Sequence, residues 1–279
     1  MTRERTEEEQ LLDQQVTENL DRIDHTIVII SGKGGVGKST VSTNLALALA
    51  KNDERQVGLL DADIDGPNIP KMLGVEDSYV AGFSDRLIPV SARPNLGVIS
   101  MAFFLPDRDS PVIWRGPLKS GVIKQFIGQA DWGDLDYLVV DLPPGTGDAP
   151  LSVAQLIKNI SGAIVVTTPQ DVALLDSRKA ISFTRELKIP VIGVLENMSG
   201  FICPHCGGAV NPFKAGGGEE AAKEMGVPFL GRVPMDLRIV ESGDSGTPFV
   251  ESFPDSPAAR SFLQIVGECS DYLEREKRC

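Results

Sequence analysis

The sequence predicts an α/β fold, a single domain with a mostly parallel sheet covered by helices on both faces. Three observations predict it. Short β-branched and aliphatic runs alternate along the chain with longer segments of helical character. The runs are continuously apolar, which suits strands buried on both faces. No internal repeat or low-complexity linker interrupts the alternation, and 279 residues suffice to bury one full core.

The elements follow in order. Residues 1–24 are polar and acid-rich, with Leu11, Leu12, Val16 and Leu20 on one helical stripe. They are expected to form a helical extension on the edge of a domain spanning 25–279. Residues 27–30 are the first strand, followed by a glycine-rich turn and a helix from Lys38 to about Lys51. Residues 57–61 are a second buried strand, ending in an acid. Further strands are expected at 96–101, 137–141, 163–168, 191–197 and 229–233. Helices are expected at 117–130, 151–160, 173–187, 218–225 and 258–276. In such sheets ligands bind at the carboxyl ends of the strands.

Charge and composition narrow the function. Lys and Arg number 27 against 39 Asp and Glu, a formal net charge of −12. That balance disfavours nucleic acid or an anionic membrane as the main partner. No apolar run approaches the roughly 20 residues that cross a bilayer. Residues 1–24 lack the apolar core of a secretory signal, so a cytoplasmic protein is expected. Four cysteines do not make a disulfide scaffold.

Gly32-Lys33-Gly34-Gly35-Val36-Gly37-Lys38-Ser39 matches G-x-x-x-x-G-K-[ST] and lies between a predicted strand and helix. Glycines let backbone N–H groups converge on phosphate oxygens, and the helix N-terminus adds a positive dipole end. Lys38 is expected on the β- and γ-phosphates, Ser39 on Mg²⁺ and Thr40 over the α-phosphate. The plainer alternative is a glycine-rich turn. Asp141 ends the apolar strand 137–140 and precedes Leu-Pro-Pro-Gly-Thr-Gly-Asp. An acid at that place suits Mg²⁺ held through water, with the following segment as a switch loop sensing the γ-phosphate. The alternative is a helix-capping acid. The acids of Asp61-Ala62-Asp63-Ile64-Asp65 follow the second strand, where acids often serve as caps.

Cys203-Pro204-His205-Cys206 lies in a segment, 200–212, rich in turn formers. Two thiolates at this spacing grip one metal from one side. No second C-x-x-C exists, and neither Cys269 nor Cys279 completes a ligand set by spacing. A symmetric dimer would supply four thiolates to one [4Fe–4S] cluster. A thiol–disulfide switch is the rival, but its thiols ordinarily open a helix, whereas Gly-Gly and Pro212 follow here.

The loop Lys33-Gly34-Gly35-Val36-Gly37-Lys38-Ser39 resembles the deviant Walker A ATPases, which include MinD, ParA, nitrogenase iron protein and the Mrp type. The further segments Asp61-Ala62-Asp63-Ile64-Asp65-Gly66-Pro67-Asn68-Ile69-Pro70, Trp114-Arg115-Gly116-Pro117, Asp141-Leu142-Pro143-Pro144-Gly145-Thr146-Gly147-Asp148, Glu196-Asn197-Met198-Ser199 and Cys203-x-x-Cys206 are similar to the Mrp/ApbC group of iron–sulfur carrier ATPases. The resemblance covers about residues 25–270. It implies a homodimeric ATPase that carries a [4Fe–4S] cluster to apo iron–sulfur proteins. It implies that Lys33 reaches the partner's nucleotide, that Asp63 orients or deprotonates the attacking water, and that Asp61 supports the Mg²⁺ shell. It also implies that Asn197 and the backbone at Pro234 hold the adenine. Two other readings stay open: a MinD/ParA-type positioning ATPase, and a zinc or soft-metal chaperone using the same cysteines.

Overall fold

The computed structural model describes residues 6–83, 86–105, 114, 116–203 and 205–277. Arg115, Pro204 and Cys279, named above, lie outside them, as do residues 1–5. Helix α1 (Glu7–Leu20) opens with a capping box, in which Thr6 Oγ1 accepts from Glu9 N–H and Glu9 accepts from Thr6 N–H. Strand β1 (Ile23–Ile30) leads to α2 (Lys38–Ala50), β2 (Val57–Asp61) and the short α3 (Ile69–Met72). A small hairpin, β3 (Ala81–Phe83) and β4 (Arg86–Ile88), precedes β5 (Val90–Arg93) and β6 (Leu96–Ser100). Then come α4 (Gly116–Gly128), β7 (Leu135–Asp141), α5 (Asp148–Leu156), β8 (Ile160–Thr167), α6 (Asp171–Glu186) and β9 (Val191–Glu196). A second hairpin, β10 (Phe201–Ile202) and β11 (Ala209–Val210), leads to α7 (Gly217–Met225) and β12 (Phe229–Arg232). The chain closes with α8 (Leu237–Ser245), α9 (Phe249–Ser252) and α10 (Pro257–Lys277).

The central sheet has eight strands in the order β12-β9-β8-β1-β7-β2-β6-β5. All pairs are parallel except β5 with β6, which turn tightly through Pro94 and Asn95. The period of two sorts each strand between two core layers. From β1, Ile27 and Ile29 face α2, α9 and α10, packing with Leu45, Leu49 and Phe262. Val28 and Ile30 face the other side, with Ile123, Phe126 and Ile127 of α4 and Ile181 of α6. Helices therefore cover both faces, as the continuous apolar runs predicted.

α1 packs on α4. Asn19 Nδ2 donates to the carbonyls of Ile127, Gly128 and Ala130 at 2.9, 3.0 and 2.8 Å. A Cβ on Gly128 would stand 2.9 Å from both Leu12 Cδ1 and Val16 Cγ2, so glycine permits the approach.

Some boundaries differ from the sequence expectation. β1 starts at Ile23, because the polar residues His25 and Thr26 at the strand's entry still pair with β7 or β8. α5 runs Asp148–Leu156 rather than 151–160; Pro150 is tolerated in the first turn, and Ile160 is claimed by β8. The cysteine segment, read as a loop, folds as the hairpin β10–β11. Helices α3, α8 and α9 were not expected.

Candidate functional site

The carboxyl ends of β1, β2, β7, β9 and β12 converge on one rim. β1 lies between β7 and β8, where the connections diverge to opposite sides of the sheet. Its exit is the glycine loop, which enters α2 at Lys38. Gly35 and Gly37 have φ of 79° and 81°, which favours glycine. A Cβ on Gly32 would strike the Asp176 carbonyl oxygen at 2.0 Å, and one on Gly37 would strike Asn197 Nδ2 at 2.3 Å. A Cβ on Gly34 would meet no atom within 4 Å. Gly34 borders a cradle of about 250 Å³ that Lys33, Lys38, Ser39, Thr40 and Asp63 also line. Gly37 caps α2 without any side-chain hydrogen bond, leaving the helix's first N–H groups aimed at the cradle.

Under the cradle sits Asp141, fully buried at the end of β7. Lys38 Nζ lies 2.9 Å from its Oδ2. Ser39 Oγ donates to Oδ2 at 2.7 Å, and Ser42 Oγ donates to Oδ1 at 2.6 Å. The Lys38 ammonium is buried with ion-pair proximity but without an aligned hydrogen bond. A buried cation in that condition suits an anion arriving from the cradle.

Asp61 is in register with Asp141 on the neighbouring strand. It accepts from Ser100 Oγ at 2.9 Å, and burial together with the charge of Asp141 pushes its carboxyl up to about 8. Asp63 is partly buried on the cradle wall, and burial raises its carboxyl as well. Ser39 and Asp141 thus bring hard oxygen donors together beside the cradle, a donor chemistry that fits Mg²⁺, with Asp61 on the neighbouring strand.

A second cavity of about 360 Å³ adjoins the first through Thr40, Asn68 and Met72. Asn197 and Pro234 both line it. Asn197 Nδ2 donates to Val36 O at 2.9 Å, tying this cavity to the phosphate loop. Met72, Met198 and Met235 give it polarisable apolar walls suited to a planar ring. Sequence reasoning missed Met72 because α3 was not foreseen, and Met198 and Met235 because they lie in the loops after β9 and β12, where no periodicity marks a cavity wall. Asp236, whose carboxylate accepts from Arg238 N–H to cap α8, was a readable start signal.

The structure brings Lys33, Lys38, Ser39, Thr40, Asp61, Asp63, Asp141, Asn197 and Pro234 to this one rim. Cys203 and Cys206 stand apart, at the tip of the β10–β11 hairpin. Cys203 N–H donates to Gly208 O at 3.0 Å, and Gly207 N–H donates to Cys203 O at 2.9 Å. The backbone N–H groups of Cys206 and His205 hold the Cys203 thiol below its ordinary range. Cys203 is half-buried and Cys206 exposed. Cys269 is buried in the core, which pushes its thiol up to about 12. Among the described residues, no group of three or more His, Cys, Asp or Glu side chains could hold a metal ion. The two thiols sit together at a hairpin tip, without a helix dipole behind them.

A parallel sheet whose central strand feeds a glycine loop, with acids ending β7 and β2, the next two strands on one side of it, defines a P-loop NTPase of the MinD/ParA kind. The chain belongs to the NUBPL iron-transfer family of these proteins: the family model "ParA: NUBPL iron-transfer P-loop NTPase" matches residues 22–270. Over 265 residues it is 50% identical to an iron–sulfur cluster carrier protein of Methanocaldococcus jannaschii, covering 95% of this chain and 90% of that one. It is similar to a nucleotide-binding protein from Archaeoglobus fulgidus solved in complex with ADP, with a TM-score of 0.77, 40% identity, and coverage of 90% of this chain and 96% of that one. It is also similar to the Pyrococcus furiosus cell-division ATPase MinD, with a TM-score of 0.64, 26% identity, and coverage of 89% and 99%. Among the described residues, no helix is long and apolar enough to cross a membrane.

Proposed function

We propose that this chain is an ATP-dependent iron–sulfur cluster carrier that works in the cytoplasm as a homodimer. The observation that carries the proposal is the hairpin half-site: two thiols, one with its thiolate favoured by backbone N–H groups, presented where a second chain can reach them. Two such hairpins supply the four thiolates of a [4Fe–4S] cluster. The cluster is cargo, to be passed to apo iron–sulfur proteins.

The nucleotide site supports the driving half of the proposal. Gly32 to Gly37 cradle the phosphates with backbone N–H groups, Lys38 takes the β- and γ-phosphates, and Thr40 closes over the α-phosphate. Ser39, Asp61 and Asp141 hold Mg²⁺, which neutralises phosphate charge when bound. Asp63 stands on the cradle wall, where it orients the attacking water and accepts its proton. Asn197 and the backbone at Pro234 take the adenine. Lys33 serves the nucleotide of the partner chain, so hydrolysis is tied to the closed dimer.

A soft-metal chaperone is the second reading, because the same two thiols suit zinc. A positioning ATPase leaves the cysteine hairpin without work. The test loads the protein with cluster and mixes it with an apo iron–sulfur enzyme whose activity reports insertion. A carrier restores activity faster with Mg-ATP than without. A chaperone for zinc restores none.

A further inference from the structure

Glu196 ends β9 and is fully buried. Its carboxylate accepts three hydrogen bonds and has one cation beside it. Ser199 Oγ donates to Oε1, Gly216 N–H donates to Oε1 at 3.0 Å, and Gly218 N–H donates to Oε2 at 2.5 Å. Arg232 Nε, on β12, lies 3.4 Å from Oε1. The cysteine hairpin leaves the core at Ser199 and returns at Gly216. One carboxylate therefore clamps both of its ends. The same group caps α7, whose own N-cap, Gly216, has no side-chain hydrogen bond to offer. Gly218 fits closely there: a Cβ would stand 3.0 Å from Glu196 Cβ, so a side chain would press on the clamp.

The next residue along the chain is Asn197, which lines the larger cavity and bonds to Val36 of the phosphate loop. A second connection runs alongside. Ser199 N–H donates to Val233 O at 3.0 Å, Met235 N–H donates to Gly200 O at 2.8 Å, and Phe201 bridges to Met235. Pro234 and Met235 are walls of that cavity. A ligand that shifts Asn197 or the 233–235 segment must pull on the stem of the hairpin. A fully satisfied buried network of this kind specifies one arrangement, so it transmits displacement rather than absorbing it.

We propose that Glu196 is the positioning residue that couples occupancy of the nucleoside cavity to the placement of Cys203 and Cys206. The inference rests on the reading that this cavity takes nucleotide and that the hairpin takes the metal.

The test is the alkylation rate of Cys203 and Cys206 in the metal-free full chain. The chain is held at a concentration where its measured mass is that of one protomer, so that dimer burial does not protect the thiols. Iodoacetamide is the probe, peptide mass spectrometry assigns each cysteine, and Mg-ADP is added or withheld. The wild-type rate at one or both thiols is expected to change roughly fivefold with Mg-ADP. In Glu196→Gln the change is expected to fall below about twofold, while Mg-ADP affinity stays within roughly threefold. Ser199→Ala, which removes only the hairpin-side donor, gives an intermediate response and serves if the first variant fails to fold. A wild-type response retained in both variants overturns the proposal. So does a wild type whose thiols ignore Mg-ADP. Iron and sulfide uptake is measured separately on the wild type. If it fails while the thiol response persists, the carrier reading falls and the coupling stands.

Discussion

Lys38 and Asp141 form a buried ion pair, with Nζ 2.9 Å from Oδ2, at the floor of the phosphate cradle. The pair lets the protein keep a carboxylate with no solvent exposure beside a nearly buried ammonium. It also sets up an exchange. On the proposed reading, phosphate takes the ammonium and leaves Asp141 to the metal side.

Lys38→Ala removes a cation that faces both the carboxylate and the cradle. Hydrogen bonds to charged groups are worth about 1.5–3 kcal/mol, so Mg-ADP affinity is expected to fall roughly 10- to 100-fold. Isothermal titration calorimetry measures it.

Ser42 never touches the cradle, yet it donates to Asp141 Oδ1 at 2.6 Å. Ser42→Ala strips a buried carboxylate of one donor and is expected to cost about 1.5–3 kcal/mol of stability. Urea unfolding reads the loss, and an unchanged midpoint would contradict the role given to this bond.

Gly34 and Gly37 separate binding from folding. Gly34→Ala meets no protein atom, so its melting temperature is expected to match wild type while its Cβ borders the phosphate cradle and weakens Mg-ADP binding. Gly37→Ala combines φ of 81° with a clash against Asn197 Nδ2, so it is expected to lower both. Thermal melts with and without Mg-ADP compare the two.

What was legible in the sequence is what repeats locally. Runs such as residues 27–30 and 57–60 announce buried strands by being apolar throughout, and Asp61, Asp141 and Asn197 stand where those runs stop. The glycine loop is legible because phosphate binding requires bare backbone over a short contiguous stretch. The small helices were not, because α3 has only four residues and α8 turns Leu237 and Val240 outward, so neither shows the usual inward stripe. Glu196 was visible only as part of a motif. Two of its hydrogen-bond partners lie 20 and 22 residues away, and no spacing rule relates a strand-end acid to a distant glycine loop.

His25 supplies a pH dependence away from the site. It stacks on Tyr137 with ring centroids 5.4 Å apart, at the entry of β1. Burial and the charge of Lys277 lower its pKa, against the opposing pull of Asp24, Asp136 and Glu274. The native state therefore binds fewer protons than the unfolded chain near the ordinary histidine value of about 6.5. Its contribution is present above that value and is lost as pH falls below it. His25→Phe keeps the stacking and removes the titration. The fall in melting temperature between neutral and mildly acidic pH is expected to be shallower in the variant than in wild type, and equal slopes would rule the assignment out.

The central claim is that Cys203 and Cys206 of two chains share one cluster. The most direct measurement is anaerobic reconstitution with iron and sulfide, followed by iron and sulfide counts, the visible spectrum and the mass of the loaded species. The account predicts a dimer with roughly four irons and four sulfides, and no cluster in Cys203→Ala or Cys206→Ala. A monomer that keeps its cluster, or a dimer that loads equally well without either cysteine, would contradict it.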